Sequence, residues 1–326
     1  MRLGGSNRWW GVALVGLALA LAPRFIPSYN AFELTYVAAY AIGILGLIVL
    51  TGASGQISLG HGAFFAIGGY AAALMAVKLG LPYWLSIPLA ALSSAAVGAG
   101  LGLIALRLEG IYLALATFAL AVATPSTLKH FKALTGGSQG VALPPLGVPG
   151  MLHAIVTPEQ WLYYVTWTLA GLLFGVTSLA LRGRIGRALY AIRDNPIAAA
   201  SFGVNPHSYK TLAFAWSAAY AGIAGALVAI ATAFASPDTY GVALSLALVT
   251  GAVLGGLDTL WGALIGGFIV EFLPLYAQKL NPAAPSVIYG VALVLVTIFL
   301  PGGIGRTFHV VATFLRHRGG KEYARS

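Results

Sequence analysis

The sequence lacks cysteine and contains very little charge. Only 8% of its 326 residues are Asp, Glu, Lys or Arg, whereas soluble domains contain about 25%. Without cysteine the chain forms no disulfides, thiolate metal sites or cysteine nucleophiles. A G-x-x-x-x-G-K-[ST] loop is also missing, so no P-loop cradles the phosphates of ATP. These absences exclude an ordinary soluble domain and a P-loop ATPase.

What the sequence does contain is a series of apolar runs from end to end. Apolar residues make up 59% of the chain, and a run of about 20 suffices for a helix to cross a bilayer. Helices satisfy their own backbone groups inside lipid, so the sequence predicts one all-α transmembrane bundle over residues 1–326. About ten spans are predicted, near residues 9–27, 32–50, 61–79, 84–106, 111–127, 161–181, 212–234, 241–258, 261–279 and 286–301. The first has the basic start of a signal peptide, but the spans that follow it favour an uncleaved helix.

The basic residues predict how the bundle is oriented. The net charge is +10, but the Lys and Arg residues are scattered over short connectors and the tail, which argues against nucleic-acid binding. With ten spans, 13 of the 18 basic residues fall on the side of the two termini. Because positive residues stay in the cytoplasm, both termini are predicted to be cytoplasmic.

Two connectors are longer than simple turns, and long loops in compact proteins are usually functional. Residues 128–160 form a Gly- and Pro-rich extracytoplasmic loop, which is either a lid or a plain surface loop. Residues 182–211 form a cytoplasmic loop, and residues 306–326 a basic cytoplasmic tail. Within the cytoplasmic loop, Asp194 or Asn195 can cap a short helix, Pro196 fits its first turn and Gly203 ends it. A capped helix at this place indicates a docking element, whereas a plain basic connector would only anchor the spans to anionic lipid.

A second unusual segment, from Gly52 to Tyr70, places polar side chains between glycines at a predicted span boundary. A broken helix here would expose backbone groups, and half-helix ends suit zwitterionic substrates. We therefore expect the translocation pathway to involve this segment. The candidate pathway residues are Gly52, Ser54, Gln56, Ser58, His61 and Gly62, together with the intramembrane carboxylate Glu271.

Four blocks of sequence resemble the permease subunits of branched-chain amino-acid ABC importers, especially the LivM type. The blocks are LTGASGQISLGHGAFFAIGGY, TGGSQG, GRALYAIRDNPIAAASFGVNPHSYKTLAFAWSAAYAGIAGAL and GAVLGGLDTLWGALIGGF. The resemblance implies that a cytosolic ATPase docks on a coupling segment comprising Arg193, Asp194, Ala198, Ala199 and Gly203. Importer permeases often carry an EAA-x-x-x-G pattern there, and Ile197 stands where the Glu would be.

The same resemblance implies the partners and the cargo. The partners would be a second, homologous permease, two cytosolic ABC ATPases that bind the ATP, an extracytoplasmic binding protein and membrane lipid, with no cofactor on this chain. Branched-chain amino acids are the expected substrates. Urea, short amides and other amino acids remain alternatives, because relatives in the family also carry them.

Two other classes of protein have weaker support. An ion-coupled secondary transporter needs buried ionisable groups, and Glu271 is the acidic residue that sits well inside a predicted span. A serine intramembrane protease needs a serine and a histidine within reach of each other. Gly52-Ala53-Ser54-Gly55 matches its G-x-S-G motif, but a continuous helix would keep Ser54 and His61 about 10 Å apart. No catalytic residues and no metal site are expected.

Overall fold

The computed structural model describes residue 23, residues 27–108, 110–148 and 156–279, and the isolated positions 287, 288, 290, 291, 294, 295, 298 and 303. The first predicted span, near residues 9–27, and the last, near residues 286–301, therefore lie largely outside the described residues. The basic tail at 306–326 lies outside them as well.

The described part of the chain is almost entirely helical, which confirms the all-α prediction. The helices are α1 (Ser28–Leu47), α2 (His61–Lys78), α3 (Tyr83–Ala105), α4 (Ile111–His130), α5 (Lys132–Thr135), α6 (Pro158–Arg182), α7 (Arg184–Asp194), α8 (Pro196–Ser201), α9 (Pro206–Thr232), α10 (Val242–Gly255) and α11 (Trp261–Gln278). Two short strands, β1 (Val141–Ala142) and β2 (Phe234–Ala235), pair antiparallel. Six of the described helices are long and apolar enough to cross a membrane. All eight predicted spans between residues 32 and 279 coincide with a helix, and the total of ten stays a prediction.

Helix α9 lies at the centre of the bundle and packs against α1, α2 and α3. Small residues make this close packing possible, because they let helix backbones approach each other. A Cβ atom on Gly68 would collide with the backbone of Gly222, and one on Gly46 would lie 2.8 Å from the Ser217 carbonyl oxygen. Side chains along α9 are correspondingly buried from Ala213 to Ile230 on its packed faces.

The two ends of the bundle differ in what covers them. At one end, here named the basic end, Arg193 lies beside Gly52 and Asp258, and Gln56 reaches Lys210. At the opposite end, here named the cap end, α5, β1 and β2 cover the helices. Lys129 forms an ion pair there with Asp238, and Leu143 N donates to Ala233 O.

The predicted cytoplasmic loop, residues 182–211, is more regular than expected. Two helices, α7 and α8, occupy it instead of one. The cap of α8 is the side chain of Asn195, whose Oδ1 accepts hydrogen bonds from Ile197 N and Ala198 N at 3.0 Å. The predicted short capped helix is therefore confirmed, with Asn195 and not Asp194 as its cap. Sequence analysis missed α7, because its Arg-rich composition was attributed to a connector.

Candidate functional site

The polar segment after Gly52 is a break between two helices. Helix α1 continues as a π-helical segment, Ile48–Ala53, and ends there. Residues 54–60, here named the connector, are non-helical, and α2 begins at His61. Gly55 has a φ of +73°, which is strained for residues with a Cβ. The break expected from the sequence is thus present in the structure.

Polar side chains hold the connector by local hydrogen bonds. Ser54 Oγ donates to Leu50 O at 2.6 Å, and Gln56 Nε2 donates to Ser54 Oγ at 2.8 Å and to Lys210 O at 3.3 Å. Ser58 Oγ accepts from Gly60 N at 3.4 Å. The side chains of all three connector residues are buried, although they are polar. Burying polar groups costs free energy unless they are hydrogen-bonded. These bonds give the connector a defined shape, whereas Gln56 Oε1 is buried with no partner among the described residues.

His61 is fully buried at the first residue of α2. Its Nε2 lies 2.8 Å from Ser217 Oγ on α9, and its Nδ1 has no hydrogen-bond partner among the described residues. The next backbone amide, Gly62 N, donates to Ser245 Oγ at 2.8 Å. Ser54 and His61 therefore have different partners, and the serine–histidine pair that a protease would need is not formed.

A second non-helical segment reaches the same place from the cap end. Residues 236–241 connect β2 to α10 and include a short 3₁₀ turn, Pro237–Tyr240. Tyr240 is fully buried, and a Cβ atom on Gly62 would lie 3.1 Å from the Tyr240 carbonyl oxygen and 2.8 Å from that of Gly241. On the other side, Leu59 N donates to Thr117 Oγ1 at 2.9 Å. His61 and Gly62 thus lie where segments from the two ends of the bundle meet.

The predicted coupling residues surround α8 at the basic end. Within this helix, Ala199 is buried and Ala198 is exposed. Gly203 follows α8 with a φ of +82° and open space around it. Two apolar side chains project from this short helix, Ile197 with 79% of its surface exposed and Phe202 with 88%. Exposed apolar residues next to a polar rim are typical of interaction sites.

Arg193, near the end of α7, joins the coupling segment to the rest of the site. Its guanidinium donates to Gly52 O and, at 3.1 Å, to Asp258 Oδ1 in the loop between α10 and α11. Its side chain also lies over Gly55, where a Cβ atom would be 3.1 Å from Arg193 Cγ. The neighbouring Asp194 is exposed. The structure therefore brings one coupling residue into direct contact with two residues of the break.

Glu271 lies apart from the other predicted pathway residues. Its carboxyl group lies beside that of Glu33 on α1, and Tyr29 is close to the same Glu33 carboxylate. Glu33 is buried and precedes the connector by the whole length of α1, about 30 Å at 1.5 Å per residue. Glu271 is therefore one half of a carboxyl pair between α1 and α11, and it does not line the cluster around His61.

Several residues of this site were missed from the sequence. Ser217, Ser245 and Thr117 complete the hydrogen bonds of the break, and Asp258 pairs with Arg193. The signal that could have found the first three is their polarity inside apolar helices, since polar residues in such helices often bond across to a neighbour. In the described part of the chain no group of three or more His, Cys, Asp or Glu could hold a metal ion.

Comparison with known proteins identifies the family of the chain. The family model described as branched-chain amino acid transport system / permease component matches residues 31–298. The chain belongs to this family. The permease is 33% identical over 310 residues to the high-affinity branched-chain amino acid transport system permease protein LivM of Salmonella typhimurium, covering 88% of this chain and 73% of that protein. LivM of Escherichia coli K12 is 32% identical over the same lengths.

More distant relatives extend the comparison. BraD of Pseudomonas aeruginosa, a permease of the same kind of transport system, is 26% identical over 83% of this permease and 92% of its own length. The ribose import permease protein RbsC of Haemophilus influenzae is 26% identical over 80% of this permease and 81% of its own length. No solved structure gives a significant match. The relatives are transport permeases and not enzymes, and the permease is an inner-membrane protein with several transmembrane helices.

Proposed function

We propose that this permease forms the translocation pathway of an ATP-driven importer for branched-chain amino acids. In the complete importer it works with a second, homologous permease, two cytosolic ATPases and an extracytoplasmic binding protein. ATP is bound by the ATPases, and this chain carries no cofactor. Membership of the family and the names of its LivM relatives support this assignment.

The bundle has about ten spans, with both termini in the cytoplasm. Three observations support this orientation. The Arg-rich helix α7 lies at the basic end, and positive residues stay in the cytoplasm. Gly303, just before the tail, lies against Gly256 between α10 and α11 at that same end. At the cap end, Pro23 O accepts a hydrogen bond from Gln160 Nε2, so the first span predicted near residues 9–27 would place the N-terminus on the basic side.

The observation that carries the proposal is α8 itself. It is a capped helix with exposed Ile197 and Phe202, it lies at the basic end, and Arg193 ties it to the break between α1 and α2. A docking element needs a surface for its partner and a rigid connection to the part that moves. The helix has both, which supports ATPase docking on α8, with Ala198 and Gly203 shaping the docked surface, the buried Ala199 seating the helix on the bundle and Asp194 on the rim.

The pathway passes the cluster around His61 and Gly62. The connector and residues 236–241 meet there. Moving one of these segments away from the other would open the space around His61 and Gly62 to one side of the membrane. The serines, Gln56 and the two helix ends carry donors and acceptors that a zwitterion can bind in exchange for the hydrogen bonds they make within the protein. Uptake should therefore fall when Gln56 and Ser58 are replaced by Ala, and unchanged uptake would contradict this pathway.

The energy source is tested with the complete importer in proteoliposomes. We expect uptake to require ATP on the side of α8 and to stop with vanadate. An ion-coupled secondary transporter, for which the Glu33–Glu271 pair is the candidate site, would instead survive vanadate and fail with an ionophore. That second result would overturn the proposal.

Docking on α8 is tested by replacing Ile197 with Asp. A charge on this exposed apolar position should weaken ATPase binding by about tenfold or more, because an apolar contact would become a desolvated charge. Binding is measured by co-purification with the ATPase at increasing salt and detergent. Ile197→Leu, which keeps an apolar side chain, is the matched control. Equal retention of ATPase by the two variants would exclude α8 as the docking site.

The choice of substrate rests on the relatives. Leu, Ile and Val should compete with one another for uptake by the complete importer, and urea, short amides and other amino acids should not. If urea or an amide competed for uptake and Leu did not, the substrate would be urea or an amide, and the assignment to branched-chain amino acids would be wrong. Because the binding protein selects the cargo, exchanging it tests how much selectivity the spans themselves contribute.

A further inference from the structure

Helix α7 is firmly seated in the bundle up to the residue before α8. Its residues Gly186, Ala188, Leu189 and Ile192 are buried, whereas residues 193–195 are exposed. Asn195 N donates to Ala191 O at 3.0 Å, so the hydrogen bonds of α7 extend to the residue that caps α8. Movement of a docked α8 therefore reaches the end of α7 first.

The guanidinium of Arg193 joins that end to two other elements. It binds the Gly52 carbonyl in the π-helical end of α1 and Asp258 in the loop between α10 and α11. The last carbonyls of a helix have no donor within the helix, and the negative end of its dipole attracts a cation. Gly55 N and Gln56 N donate to Thr51 O and Leu50 O, which leaves the Gly52 carbonyl for Arg193.

The fit around this contact is tight. A Cβ atom on Gly52 would collide with the Leu257 carbonyl oxygen, and one on Gly55 would press on the stem of Arg193. The π-helical end of α1, the loop after α10 and the end of α7 thus meet at the side chain of Arg193. A displacement of Arg193 has to break these contacts or carry Gly52 and Asp258 along.

We propose that Arg193 is a positioning residue that transmits movement of α8 to the pathway by holding the Gly52 carbonyl and Asp258 together. The proposal rests on the proposed function, because it presupposes that an ATPase moves α8. Gly52 lies on the same chain segment as Ser54, Gln56 and Ser58. A displacement of the Gly52 carbonyl therefore moves the connector next to His61 directly through the chain, and no other residue has to transmit it.

The contact favours arginine. One nitrogen of its guanidinium, Nη1, donates to both acceptors, and the planar group fixes the directions of these donors, whereas lysine is a flexible point charge. Asp258 adds the charge that keeps the guanidinium directed at the Gly52 carbonyl. Arg193→Lys should therefore retain the charge and lose most of the transmission.

The test compares ATP hydrolysis and uptake in the complete importer in proteoliposomes, with binding protein and substrate present. For Arg193→Gln we expect uptake to fall about tenfold, the scale set by loss of a charge-assisted hydrogen bond, while ATP hydrolysis stays within about twofold of wild type. The number of ATP molecules hydrolysed per substrate should then rise severalfold. Asp258→Asn should raise this ATP-to-substrate ratio less than Arg193→Gln does. The ratio for Arg193→Lys should lie between those of the other two variants. Arg187→Gln, an exposed arginine on the same helix, is the control and should change nothing.

A purely structural role gives a different result. If hydrolysis and uptake fall in proportion in all three variants, or if neither changes, Arg193 does not transmit movement. If Arg193→Gln fails to assemble, the ratio measured for Asp258→Asn and Arg193→Lys decides. Failure of the proposed function is seen separately, because wild-type importer would then take up substrate without hydrolysing ATP.

Discussion

The two ends of the bundle are closed by different means. At the basic end, Arg193 binds a backbone carbonyl of the broken helix and a carboxylate. At the cap end, Lys129 and Asp238 form an ion pair at 2.6 Å with side chains 38% and 70% exposed. The cap end also has backbone pairing between β1 and β2, and Leu143 N donates to Ala233 O at 2.8 Å.

This difference indicates which end is built to be moved. Exposed ion pairs contribute about 0 to 1 kcal/mol, and this holds for Arg193–Asp258, with side chains 39% and 44% exposed, as it does for Lys129–Asp238. The cap end is therefore held mainly by backbone pairing and packing, and what distinguishes the basic end is the bond from Arg193 to the Gly52 carbonyl. The basic end concentrates its contacts in one side chain next to α8. A force applied to α8 would therefore be focused on the connector, whereas a force applied at the cap end would have to displace a whole loop.

The largest effect is expected where the segments from the two ends meet. In Gly62→Leu, the new Cβ would lie 2.5 Å from Ser245 Oγ and 2.8 Å from Gly241 O, so the two segments must separate. Overpacking of this kind costs about 1 to 3 kcal/mol, and we expect uptake to be lost. The measurements are uptake in proteoliposomes and thermal stability of the purified permease.

Gly100→Leu is the matched control, because this helical glycine of α3 is exposed with open space around it. It should keep both uptake and stability. Normal uptake by Gly62→Leu would show that the meeting of the two segments is not part of the pathway.

The helices were largely predictable from the sequence, and the site was predictable in part. Apolar length fixes a transmembrane helix, so eight predicted spans between residues 32 and 279 coincide with helices. The break after Gly52 was predictable as well, because glycines and polar residues interrupted an apolar run. The cap and the first turn of α8 were also predictable, because Asn is a preferred N-cap residue and Pro is favoured in the first helical turn.

The contacts between helices could not be predicted in this way. Ser217 is far from His61 in sequence, and its polarity alone does not identify its partner. Glu33 was overlooked because it lies at a span boundary, although it is buried against Glu271. The tie from Arg193 to Gly52 depends on where α7 lies in three dimensions. Periodicity and composition describe one helix at a time, and they do not contain these distances.

A smaller effect is expected from loosening the connector alone. Thr117 Oγ1 accepts from Leu59 N at 2.9 Å, and Thr117 is 2% exposed. Thr117→Val keeps the shape and leaves the amide without its acceptor, which costs about 1 to 3 kcal/mol for a buried group. We expect uptake to fall severalfold and thermal stability to decrease. Thr127→Val, an exposed site on the same helix whose hydroxyl bonds only Ala123 O, should change neither.

The smallest effect is expected at the exposed ion pair of the cap end. Lys129→Ala removes the ion pair with Asp238 but leaves β1, β2 and the buried Tyr240 in place. The loss of stability should be below about 1 kcal/mol and should shrink at high salt, because salt screens exposed charges. Thermal unfolding at low and high salt measures it, with Lys132→Ala, an exposed lysine at the start of the neighbouring helix α5, as control. A loss as large as that from Thr117→Val would mean that this ion pair holds the cap end closed, and the two ends would then be alike in depending on one charged side chain.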